Sequence, residues 1–165
     1  MTQTYYALWY RLDQSDGYLI WFSDDVDGVI TRPDGTIPSF DAQAQLNIYA
    51  SDNQLGVAPM EPLLHDLDAV VSWLGHSLSA NVDTTTCLTA WNLFTDCSAS
   101  VNGDFDADHK RTKGIYNKLF WGNNLPAVTP PGEEYIPVWA DDERLLLQEV
   151  LCDGLQLFQK YVTRR

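Results

Sequence analysis

Alternation of apolar and polar positions dominates the first forty residues. From Tyr5 to Leu12 the side chains fall into two rows, Tyr6, Leu8, Tyr10 and Leu12 against Tyr5, Ala7, Trp9 and Arg11. That is the period of a strand, in which successive residues point to opposite faces. Asp13-Gln-Ser-Asp-Gly17 reads as a turn and Tyr18 to Ser23 as a second strand. Asp24-Asp-Val-Asp-Gly28 then turns the chain into a third, Val29 to Arg32. Residues 1–38 are therefore expected to form an antiparallel meander of about three strands. Both faces carry large aromatic residues, so helices should cover one face, with the other partly covered or available to a partner.

After Pro33-Asp-Gly-Thr-Ile-Pro38, read as a turn, the apolar period lengthens to about 3.6 residues. Ser39 or Asp41 is placed to cap a helix running to Asn53, with Ala42, Leu46, Tyr49 and Ala50 inward. A second helix is expected from Leu63 or Asp66 to Gly75, with Leu63, Leu67, Val70, Val71 and Leu74 as its stripe. Asp83 should cap a third, Thr84 to Val101, burying Cys87, Trp91 and Phe94, before the polar loop Asn102–Asp108. The last helix begins at Asp141-Asp-Glu143, acids that suit a helix N-terminus, and buries Leu147, Val150, Leu151, Leu155, Phe158 and Val162.

Between these lies Ile115–Trp139, with two of the six tryptophans and four of the eight prolines. Ile115 to Trp121 reads as a short amphipathic helix stopped by Gly122-Asn123-Asn124, and an extended, proline-stiffened crossing follows over 122–139. Leu125, Val128, Tyr135, Ile136 and Trp139 are expected to pin that crossing down as a clasp; an exposed contact surface is the alternative. The fold class is thus α+β: a small N-terminal antiparallel sheet packed by four to five helices, in a single domain over residues 1–165.

Charge adds a direction. The chain carries a net −13, and residues 1–109 hold sixteen acids against Arg11 and Arg32, a net −14. Between Arg32 and Lys110 there are eleven acids and no Lys or Arg. Such a field repels nucleic acid and anionic membranes and attracts basic proteins. An apolar content of 45% is ample for a core. No signal peptide or membrane span is legible, so a cytoplasmic protein is expected. Cys87, Cys97 and Cys152 form no CxxC pair and read as buried free thiols.

Candidate chemistry is sparse. Ser23, Asp25, Asp27, Gly28 and Asp34 fall at positions of a calcium loop, but Ser stands first, Asp stands last, and both flanks read as strands. A hairpin turn explains the same residues, leaving Asp25, Asp27 and Asp34 as the weaker metal alternative. Asp104, Asp106 and Asp108 start a similar spacing, with His109 where the loop needs Gly. No phosphate loop, zinc signature or nucleophile elbow is present, and no cofactor is expected. Charge, size and lack of chemistry point to a non-enzymatic acidic binding protein that neutralises a basic partner, as bacterial immunity proteins do with toxins, many of them nucleases. Asp66, Asp68, Asp104, Asp106 and Asp108, with Trp121, Asn123 and Asn124, are the expected contact residues. A DNA-mimic inhibitor and a small enzyme with an unrecognised site are the alternatives.

Overall fold

The computed structural model describes residues 3–164. In chain order the elements are β1 (Thr4–Leu12), β2 (Ser15–Ser23), β3 (Gly28–Val29), β4 (Ile37–Ser39), α1 (Gln43–Asp52), β5 (Leu64–Asp66), α2 (Leu67–Leu74), α3 (Thr84–Ser100), α4 (His109–Gly122), α5 (Asp141–Tyr161) and β6 (Val162–Arg164). The α+β class is as expected. The main sheet has the order β3-β2-β1-β5. Its first three strands are antiparallel, and β5 adds a parallel fourth beside β1 that alternation did not reveal. A second small pair, β4 with β6, joins the supposed turn at Pro38 to the C-terminal segment.

The hairpin turn is tighter than five residues. Asp13 (φ 54°) and Gln14 (φ 60°) alone make it, and Ser15 to Gly17 already pair with Leu12 to Tyr10. Two left-handed residues match the twist of the flanking strands. Gly17 is fixed by its neighbour across the ladder, because a Cβ there would lie 2.3 Å from Tyr10 Cζ.

Both sheet faces carry a packed core, whereas the two-sided aromatic pattern leaves the second face either partly covered or open to a partner. Leu8, Tyr10, Leu12 and Leu19 join the main core with residues of α2, α3 and α5, while Ala7 and Ile20 on the reverse face meet Phe40 and α1's Leu46 and Ala50. The α1 cap differs from expectation. Ser39 is buried and bonded to Tyr10 Oη (2.6 Å), Asp41 pairs with Arg164, and the N-cap is Ala42 with no side-chain bond. On α2 the buried face is Leu67, Val70 and Trp73, leaving Val71 exposed. The helix starts only after β5, so Leu63 precedes it and is 83% exposed rather than part of its stripe.

Helices α3 and α5 form the centre as expected, with Phe94, Cys97, Leu147, Leu151 and Phe158 all buried. Gly154 lets them approach: a Cβ there would sit 2.0 Å from Phe94 Cδ2. Val162 lies beyond α5, in β6. Helix α4 begins at His109 rather than Ile115. Its first turn is held by Asp106, which accepts bonds from the buried Thr112 hydroxyl and from His109 Nδ1 (2.8 Å). The thiols are free, Cys87 and Cys97 buried and Cys152 half-buried; burial pushes the Cys87 thiol up to about 12 and raises Cys97 as well. No described helix is long and apolar enough to cross a membrane.

Candidate partner-binding surface

Three of the five expected contact acids are held within the fold. The Asp66 carboxylate caps α2 by accepting Ala69 N–H at 3.0 Å. Asp68 accepts the backbone amides of both hairpin-tip residues, Asp13 at 2.7 Å and Gln14 at 2.8 Å, and so fixes the left-handed turn. Asp106 anchors α4, and only Asp104 and Asp108 keep open carboxylates. Counting charge along a sequence treats all acids alike; burial and capping separate them. The fold brings Asp104 near Asp153 of α5, a pairing that spacing does not announce, while Glu149, one turn earlier on the same helix, is paired with Arg111. Burial raises the Asp153 pKa, and the negative Glu149 adds to the effect.

The two asparagines are also structural. Asn123 donates to Leu119 O (2.7 Å) and Thr84 O (3.3 Å) and accepts from the Thr85 hydroxyl (2.8 Å), tying the end of α4 to the start of α3. Asn124, at φ 49°, grips the backbone of Tyr135 at two points: its Nδ2 donates to Tyr135 O (2.9 Å) and its Oδ1 accepts Tyr135 N–H (2.7 Å). This closes a loop in which Pro130-Pro131-Gly132-Glu133 makes a turn, with Gly132 at φ 81° and Glu133 N–H donating to Pro130 O at 3.1 Å. Lys118 secures the far side, donating to Val138 O (2.7 Å), pairing with Glu143 and lying over the Trp139 ring.

The strap over residues 123–140 is therefore fixed mainly by polar bonds, and most of its expected apolar pins do not hold it. Trp139 packs against the core, but Ile136 is 72% and Val138 81% exposed, and Tyr135, Leu125 and Val128 are exposed as well. Glu133 and Glu134 precede this ridge and Asp141 and Asp142 follow it; all four are exposed and none forms an ion pair among the described residues. Trp121, 47% exposed, lies at the end of α4 where the strap starts.

A second open apolar surface lies at the sheet edge, a groove of about 420 Å³ between β1, Trp21 and residues 60–63. His65 and Ser23 also line it. His65 Nδ1 lies 3.2 Å from both Trp9 O and Leu63 O, and burial lowers its pKa. No hydrogen bond joins Ser23 to His65 among the described residues, so the groove holds no paired nucleophile and base. In the calcium-like stretch, Asp34 turns back onto Thr36 N–H at 2.9 Å, and strands flank residues 24–27. The described residues hold no group of three or more metal-ligating side chains.

No protein-family model and no curated protein matches the chain. Among solved structures it is similar to the C-terminal domain of SatS, crystallised in complex with bromine. The TM-score is 0.63 at 15% identity, over 98% of this chain and 94% of that one. At that identity the likeness shows a shared fold and carries nothing about ligands.

Proposed function

We propose that this chain is a non-enzymatic binding protein that captures a basic protein partner, in the manner of an acidic immunity protein against a toxin. The observation that carries the reading is the ridge at Tyr135, Ile136 and Val138, apolar and outward on a backbone fixed at both ends and bracketed by four unpaired acids. A preformed ridge loses little conformational freedom on docking, so more of its apolar burial is retained as affinity. The flanking acids steer a basic partner into place and raise the association rate. Asp104 and Asp108 extend the same negative field; Asp66, Asp68 and Asp106 contribute to it at long range while holding the fold. A DNA mimic needs rows of free carboxylates, and three of the five candidates being internally bonded weakens that alternative.

The experiment is affinity capture followed by binding kinetics of the recovered protein at two ionic strengths. We expect a basic partner whose association slows as salt rises. Glu133→Lys with Glu134→Lys should slow association, and Ile136→Ser with Val138→Ser should speed dissociation. An association rate indifferent to salt and to charge reversal overturns the reading.

A further inference from the structure

The groove at the sheet edge exists because the chain beside β1 takes a detour. Val57 bridges Tyr5, and β5 begins pairing only at Trp9↔Leu64. Residues 58–63, six in all, thus run beside only Tyr6, Ala7 and Leu8, and this segment must bow outward. The detour leaves Met60 62% and Leu63 83% exposed on one wall, with Tyr6, Leu8 and Trp21 on the other.

Its electrostatics are one-sided. Glu61 lines the groove, no Lys or Arg does so among the described residues, and burial disfavours the charged form of His65. The Trp21 indole N–H donates to Asp96 at 2.8 Å. That carboxylate has no cationic partner among the described residues, and a nearby charge, Asp27, is also negative.

We infer that this groove is a second docking site, occupied by a segment of the basic partner that places a large apolar side chain between Trp21 and Leu63 with a Lys or Arg beside Glu61. The inference rests on the reading that the partner is basic. Charge complementarity selects this occupant. A second copy of the chain is net −13, and its most exposed apolar ridge is bracketed by acids, so it would bring like charge to the rim. Anionic lipid headgroups are repelled for the same reason. A cation meeting Glu61 at the edge of an apolar groove gains from partial desolvation, and the apolar wall excludes competing water.

Methionine methyl labelling tests this directly, since the chain has only Met1 and Met60. The full chain, carrying ¹³C-methyl methionine, is titrated to millimolar concentration with acetyl-Lys-Trp-Leu-Lys-amide, its Glu-flanked counterpart, and acetyl-Lys-Ser-Ser-Lys-amide. We expect a saturable shift of the Met60 methyl with the first peptide and binding weaker by about tenfold or more with the other two. Leu63→Ser and Glu61→Gln, both at exposed positions, should each weaken the first peptide several-fold. A Met60 signal unmoved by every peptide overturns the groove; if capture through the ridge still shows its salt dependence, the basic-partner reading stands without it. Equal shifts with the Glu-flanked peptide overturn the charge preference of the groove.

Discussion

The α3–α5 crossing and the strap over residues 123–140 are both rich in large apolar residues, yet they use them in opposite ways. At the crossing, Leu151, Phe158 and Phe94 are fully or almost fully enclosed, and Gly154 brings the helices close enough for Phe94 to occupy the space of a side chain. In the strap, Ile136 and Val138 face water while the Asn124 amide and the Lys118 ammonium hold the backbone. Packing fixes the first region, and polar bonds fix the second, with Trp139 its one expected apolar anchor against the core. Where backbone is held by other means, apolar side chains are released for contact with something else, and this division locates the proposed binding ridge.

Leu151→Ala should break the packed region. The side chain is wholly buried, and its truncation should cost about 2–5 kcal/mol as lost transfer energy and residual cavity. Denaturant melts measure this directly; a loss under about 0.5 kcal/mol would mean that the crossing does not bear the fold.

Why the two regions were unequally legible in the sequence follows from the same contrast. The stripes of α3 and α5 repeat at helical spacing, so burial could be read from period alone. Strand alternation likewise placed β1 and β2. Helix α4 was read six residues short because His109-Lys-Arg-Thr-Lys-Gly carries no apolar period; its start depends on Asp106 bonding to Thr112 and His109. Strand β5 is three residues long and makes sense only beside β1. For the candidate site, composition marked the acids and Trp121 but did not show that Asp68 holds the hairpin tip. Nor did it show that Asn124 performs the clasping assigned to Ile136. Side-chain bonds between residues far apart in sequence leave no periodic trace.

The packed region also contains a charge problem, which pH should expose. Burial raises the Asp96 pKa from 3.8 to about 6, opposed by the bond from Trp21, while Asp27 adds a smaller upward effect. A raised folded-state pKa means that the folded protein binds this proton more tightly than the unfolded chain. Stability from this group is therefore greatest below the unfolded value and is lost as pH rises through about 6. Asp96→Asn keeps an acceptor for Trp21 and removes the charge. At pH 7 it should gain on the order of 1–2 kcal/mol, less than the full shift implies because water still reaches part of the carboxyl. At pH 4.5 the gain should shrink towards zero. Equal gains at both pH values would show that ionisation of Asp96 is not the cause.

Asn124 tests whether polar bonds do hold the strap. Asn124→Gly tolerates the left-handed backbone but lacks the amide that grips Tyr135, so it separates hydrogen bonding from conformational strain. We expect a loss of about 1 kcal/mol in global stability, and faster hydrogen exchange at the Tyr135 amide by roughly tenfold. Unchanged exchange at Tyr135 would transfer the anchoring role to Lys118 and Trp139.

The smallest stability change should come from the ridge itself. Ile136 and Val138 are 72% and 81% exposed, so replacing both by Ser removes little buried area, and the melting midpoint should move by the equivalent of less than about 0.5 kcal/mol. Two β-branched apolar side chains held outward on an immobilised backbone are poor solvating groups, and their loss costs the fold almost nothing if docking is their role. The same double variant should weaken the captured basic partner by about tenfold or more, mainly through dissociation, because apolar anchors at the centre of a contact govern how long it persists. A large loss of stability with unchanged affinity would reverse the contrast with the α3–α5 crossing: the ridge would then be a part of the core that happens to reach the surface, and the docking surface would have to be sought among the open acids at Asp104 and Asp108.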